Sequence, residues 1–166
     1  MIGPMEASTE RSSLLVVPAA IGAAPFLLAF GIDLLSKFIV VAGDRGQLVV
    51  YNDRPPAFAL RLAMSLVAIV VTYLLARGAE RVGIGRLWGA WIGTGLLVGG
   101  VLGNGVSPFL WHRGVPDFIH TTAYVWNYAD FEIGIGLSGG LASVAVAALV
   151  AFVRERRPPR IVPAAD

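Results

Sequence analysis

The chain has no cysteine, which excludes a disulfide framework and any thiolate nucleophile or ligand. It has only two histidines, and His112 and His120 stand in no H-E-x-x-H or comparable zinc spacing. His112, Asp117, His120 and Asp130 include ligand-type side chains, but the spacing favours ordinary loop histidines, and no metal or cofactor is expected. Charge is also scarce. Charged residues make up 14% of 166 positions while 56% are hydrophobic, and the mean hydropathy is +0.72. That composition excludes a soluble domain of this size. The basic residues fall in short clusters beside apolar runs, not along one face, so nucleic acid is not expected as a partner.

What the chain has instead is apolar length. A helix needs roughly 20 mostly apolar residues to cross a hydrocarbon core of about 30 Å. Four runs approach this, at 14–41, 60–77, 87–106 and 132–153. They predict an all-α membrane protein of four transmembrane helices with a small extracytoplasmic β-like element and loop. Residues 1–13 are expected as a disordered N-terminal tail, 14–153 as the transmembrane domain, and 154–166 as a basic cytoplasmic tail. The first run is long and lacks a small-residue cleavage site before Asp33 and Lys37, so it is expected to be retained. Arg11, the cluster Arg77, Arg81 and Arg86, and the cluster Arg154, Arg156, Arg157 and Arg160 mark a cytoplasmic side. Arg45, Arg54 and Arg113 dilute that asymmetry. Both termini are then cytoplasmic, and the connections 42–59 and 107–131 face outward.

Asp33 and Lys37 are four apart at the end of the first run, so they share a helical face and can pair near the interface. Such a pair can anchor a helix end or orient a site. Gln47 to Asn52 is short, β-branched and closed by turn formers, which predicts an extended element; Pro55 and Pro56 stiffen the connection that follows. Gly89, Gly93, Gly95, Gly99 and Gly103 form a small-residue stripe in the third run, echoed by Gly136 and Gly140 in the fourth. Small residues let membrane helices approach closely. The third and fourth helices are therefore expected in contact, carrying Asn104 towards Asp130. Trp88 and Trp91 at one end, and Trp111, Tyr124, Trp126 and Tyr128 at the other, fit interfacial belts. Arg77, Glu80 and Arg81 read as a solvated cluster.

Asp117 and Asp130 lie thirteen positions apart where an aromatic-rich loop meets the last apolar run. An acid at the edge of a hydrocarbon slab is costly and marks a functional site by default. Two of them suggest acid–base chemistry on water. The plainer alternative makes both helix caps or solvated loop residues.

These pieces together resemble the lipoprotein signal peptidases, the signal peptidase II family of membrane aspartyl proteases. Asp33-Leu34-Leu35-Ser36-Lys37 resembles the family's D-x-x-[ST]-K, and Asn52 with Ala57-Phe58 resembles its N-x-G-x-A-F. Gly99 to Asn104 matches G-G-x-x-G-N, and Asp117-Phe118 and Asn127-Tyr128-Ala129-Asp130 match the D-F and N-x-A-D motifs. Three places depart from the pattern. Arg54 replaces a glycine and the segment is one residue longer, Ser107 and Pro108 replace an Asp-Arg pair, and Gly114 to Asp117 is one residue shorter.

The resemblance implies Asp117 and Asp130 as the catalytic pair. Asn52, Arg54, Asn104, Asn127, Asp33 and Lys37 would bind substrate or orient the acids. The implied substrate is a diacylglyceryl-modified prolipoprotein, cut before its lipidated cysteine at the outer face of a bacterial inner membrane. The implied partners are that precursor and membrane lipid, with the protein acting as a monomer. The lost Asp-Arg pair supports an alternative: a weakened or inactive paralogue serving as a small membrane binding or transport protein.

Overall fold

The structure is a computed structural model. It describes residues 4–44, 48–52, 55–84 and 87–156, with side chains described for 20–44, 48–52, 59–84 and 87–156. In chain order the elements are α1 (Pro4–Gly43), β1 (Val50–Asn52), α2 (Pro55–Arg81), α3 (Trp88–Leu110), β2 (Val115–Asp117), β3 (Ile119–His120), β4 (Val125–Trp126) and α4 (Tyr128–Glu155). Four helical stretches are long and apolar enough to cross a membrane: Ala20–Gly43, Ala59–Arg81, Trp88–Leu110 and Tyr128–Glu155. The protein is thus a four-span helical membrane protein with two small antiparallel strand pairs, as its composition predicts.

Several boundaries move. α1 begins at Pro4, within the segment expected as a tail, where Met5, Glu6 and Ala7 are good helix formers. α2 begins at Pro55, so the two prolines open a helix instead of stiffening a connection. Proline suits the first turn because its missing N–H would find no helical acceptor there. α4 begins at Tyr128, which places Asp130 inside the first turn of the helix and not in the loop before it. Arg45, Gln47, Arg54, Arg86, Arg157 and Arg160 lie outside the described residues.

α3 is the central helix. It is the least apolar span, with mean hydropathy 1.2 against 2.0 to 2.1 for the others, yet half of it is buried against 11–17% for them. The glycines explain this. The expected single stripe is in fact two faces. On one, a Cβ added at Gly93 would lie 2.6 Å from the Gly136 carbonyl oxygen and 2.8 Å from the Gly140 backbone, so α3 and α4 touch backbone to backbone. On the other, a Cβ at Gly99 would lie 2.6 Å from the Ala29 methyl and 2.9 Å from the Phe26 carbonyl oxygen of α1. Close approach without side chains is how helices gain dispersion contacts where lipid offers no hydrophobic driving force. α2 packs more loosely against α3 and α4, with Met64, Val67, Val70 and Leu74 on its exposed surface.

At one end of the bundle, the strands cap the helices. β1 pairs with β2 in antiparallel register, Val50 opposite Asp117, Tyr51 opposite Pro116 and Asn52 opposite Val115. The expected extended element near 47–52 therefore exists, and its partner is the strand that carries Asp117. Gly114 makes the entry to β2 with a φ of 112°, a left-handed conformation that favours glycine. β3 and β4 form a hairpin closed by Thr121, whose hydroxyl donates to the Tyr124 carbonyl (2.7 Å) and accepts from the Tyr124 N–H (3.1 Å). At the opposite end Trp91 is buried, not a belt residue. Its Nε1–H donates to Glu80 Oε1 (2.8 Å) and its ring meets Tyr73 edge-on.

Candidate active site

The site begins behind the strands, with the acid and base of α1. Asp33 and Lys37 are four apart, form the ion pair that their spacing predicts, and are wholly buried within the protein. α3 permits this because Gly103 has no side chain where the Asp33 carboxylate sits. Burying an ion pair costs several kcal/mol per ion unless hydrogen bonds satisfy the remaining valences. Here they do. Lys37 Nζ donates to Asp33 Oδ2 (2.7 Å), Asn104 Oδ1 (2.9 Å) and Ser107 Oγ (3.1 Å), using all three of its protons. Ser107 Oγ–H in turn donates a hydrogen bond to the Gly103 carbonyl (2.6 Å). The other oxygen of Asp33 accepts the Ala129 N–H (3.1 Å), one of the first-turn amides of α4 that lack a helical partner.

The chain of bonds continues outward. With its carbonyl oxygen held by Lys37, Asn104 must present its amide nitrogen, and Nδ2 donates to Asp130 Oδ1 (3.1 Å). Asp130 Oδ2 accepts the Asn127 backbone N–H (3.0 Å), while Asn127 Oδ1 accepts the Asp130 N–H (3.3 Å). This is a capping box with Asn127 as N-cap and Asp130 as N3. The plainer alternative for Asp130 is thus correct about its local geometry, but it is incomplete. Asn127 is 1% exposed and still has its amide nitrogen free of the cap; Nδ2 donates to Asp117 Oδ1 (2.5 Å). One asparagine therefore bonds both carboxylates, and the path Asp33–Lys37–Asn104–Asp130–Asn127–Asp117 is continuous.

Asp117 and Asp130 both open onto a cavity of about 710 Å³. Asn52 from β1, Asn104 from α3 and Asn127 share its wall, and Met64, Ile133 and Leu137 make it apolar towards the span interior. Asp33 and Lys37 are not in the wall, so of their two expected roles only orientation from behind is available. Arg54 lies outside the described residues. Burial pushes the Asp117 carboxyl up to about 6; the Asn127 hydrogen bond pulls it back, the Asp130 charge adds to the rise, and Lys37 and Arg61 oppose it.

Two wall or network residues escape a sequence reading. Ser107 looks like the loss of a charged residue, yet its hydroxyl completes the Lys37 shell. Arg61 lines the cavity from α2 although it stands inside an apolar run. An arginine near the start of a span was its only signal. His120 bonds the Leu48 carbonyl through Nε2 (2.8 Å) and so ties the hairpin to the chain before β1. No group of three metal-type ligands occurs among the described residues.

A family model described as signal peptidase (SPase) II matches residues 26–148, a stretch that holds every site residue from Asp33 to Asp130. No curated protein and no solved structure matches the chain.

Proposed function

Because the chain belongs to the signal peptidase II family, we propose that it is an active aspartyl endopeptidase whose dyad is Asp117 and Asp130. The substrate is a prolipoprotein carrying a diacylglyceryl group, cut on the N-terminal side of the lipidated cysteine. One observation carries this reading: Asn127 hydrogen-bonds both acids at the wall of one cavity. Two carboxylates linked through one asparagine at a single cavity are suited to working as a pair with one of them protonated, since the charge of each disfavours ionisation of the other.

The bonding pattern favours a division of labour. Both oxygens of Asp130 accept from N–H donors, which suits the acceptor-only carboxylate. Asp117, pushed up to about 6, is the better holder of the proton. A water in the cavity gives a proton to Asp130 as its oxygen attacks the scissile carbonyl carbon, while Asp117 protonates the carbonyl oxygen. The neutral gem-diol then collapses. Asp130 passes its proton to the leaving nitrogen, Asp117 recovers one from a diol hydroxyl, and the C–N bond breaks. The products are the signal peptide carboxyl and the amine of the lipidated cysteine. Asn52 and Asn104 suit contacts to the substrate backbone, and Arg54, in the connection before α2, is a further candidate.

The apolar part of the cavity wall supports a substrate whose acyl chains stay in the bilayer. The arginine clusters support cytoplasmic termini and a site at the outer face of a bacterial inner membrane. A single chain supplies all six members of the hydrogen-bonded path, so a monomer suffices. The neutral Ser107 in place of the family's usual acid is compatible with activity, since Lys37 keeps three acceptors.

Purified protein given a diacylglyceryl-modified precursor should release the signal peptide, with the lipidated cysteine as the new N-terminus by mass spectrometry. Asp117→Asn and Asp130→Asn should each stop the reaction. No cleavage by the wild type would instead support the inactive paralogue.

A further inference from the structure

Arg61 is the one basic side chain in the cavity wall among the described residues. It stands in the first turn of the membrane-length part of α2, Ala59–Arg81, where a cation is costly unless something nearby uses it. No described acid pairs with it: the ion pairs among the described residues are Asp33 with Lys37 and Glu80 with Arg77. A guanidinium at a span's edge can also snorkel to the interface and do nothing more. Its position in the same wall as Asp117, Asn127 and Asp130 points elsewhere.

We propose that Arg61 is a positioning residue for the dyad, the cation that keeps Asp117 able to give up its proton during cleavage. This rests on the aspartyl reading of the site. The charged groups that bear on Asp117 come from each helix that reaches it: Lys37 from α1, Arg61 from α2 and Asp130 from α4. β1 and α3 bring asparagines instead, Asn52 and Asn104. Lys37 divides its three protons among Asp33, Asn104 and Ser107, so its charge is largely committed behind the site. Of these two cations, Arg61 is the one with no ion-pair partner among the described residues. Burial and the Asp130 charge both favour the protonated form of Asp117. A proton held too tightly makes a poor general acid, since efficiency is best when the acid's affinity lies near the working pH. A fixed positive charge in the wall counters both effects without itself exchanging protons.

The test compares Arg61→Gln and Arg61→Lys with wild type in detergent, using the lipidated precursor. Asp117 carries the pair's one proton, so the second ionisation of the pair, loss of that proton, sets the alkaline limb of kcat/KM. Removing the cation should move that limb up by about half a pH unit, roughly threefold in relative rate on the limb. The maximal kcat should fall, KM should stay, and Arg61→Lys should restore the profile. A rise in KM at every pH with the limb unmoved would make Arg61 a substrate contact and overturn the proposal. An unchanged profile would make it an interface anchor and overturn it equally. A second readout needs no activity: infrared titration of the protonated carboxyl band that disappears in Asp117→Asn. That band should titrate at higher pH in Arg61→Gln. If wild type cleaves nothing, the peptidase reading fails, and the band still decides Arg61; a band that does not move overturns the proposal.

Discussion

The two ends of the helical bundle both bury polar groups, but to different ends. At the Glu80 end, the carboxylate accepts Arg77 Nη1 (3.1 Å) and Trp91 Nε1 (2.8 Å), clipping α2 to α3 over a core of Ala76, Ala79, Leu87, Ala90 and Trp91. Both oxygens of Glu80 are engaged by protein donors. At the Asp117 end, a longer path joins α1, α3, α4 and β2 and terminates in two carboxylates at the wall of a cavity. Charge is wholly buried at the Asp33–Lys37 pair and partly buried at Glu80–Arg77. What separates a clip from a candidate catalytic site is that the second network leaves acids facing space large enough for water and a peptide.

That contrast can be broken in graded steps. The largest effect short of the acids themselves is expected for Asn127→Ala, which removes the bond to Asp117 and half of the α4 cap. Cleavage should fall about 100- to 1,000-fold, as for loss of one aligned donor, while the lost cap costs only about 1 kcal/mol of stability. Kinetics beside thermal melts in detergent would check both. Equal losses in folding and rate would erase the distinction between the ends.

Next comes Lys37→Met, which strands Asp33 in the core. Such a change should cost about 3 kcal/mol. Adding Asp33→Leu should recover much of that stability, since a whole buried pair is often replaceable by apolar groups. Activity should not recover, because Asn104 would no longer be held with its amide nitrogen towards Asp130. If the double variant cleaves normally, the path behind the dyad is scaffolding like that at Glu80. The smallest of the three effects is Glu80→Gln, expected to cost about 1 kcal/mol and leave cleavage unchanged at saturating substrate.

Much of this was legible in the sequence because it depends on local spacing. Apolar length gave the four spans, β-branched residues ending in Asn52 gave β1, and glycines in two runs gave the contact that brings Asn104 to Asp130. The misses arise where the same local signal has two three-dimensional outcomes. A glycine every few residues does not say which neighbour each one meets, and α3 uses Gly93 for α4 but Gly99 for α1. Tryptophan near a span end fits a belt or a core, and Trp91 is buried because Glu80 takes its N–H. Ser107 has the sequence signature of a missing charge, since only folding brings it to Lys37 as a third acceptor. Spacing gives a capping aspartate and a cavity-wall aspartate the same signal, and Asp130 has the geometry of the first while lining the wall of the candidate site.

The central claim is that Asp117 and Asp130 act as one unit. The most direct measurement is single-turnover cleavage of a lipidated precursor by Asp117→Asn, Asp130→Asn and the double variant, each shown to be folded. Groups that work as a unit lose nearly everything at the first removal. Both single variants should therefore be as inactive as the double. A single variant that still cleaves at a substantial fraction of the wild-type rate would contradict the account.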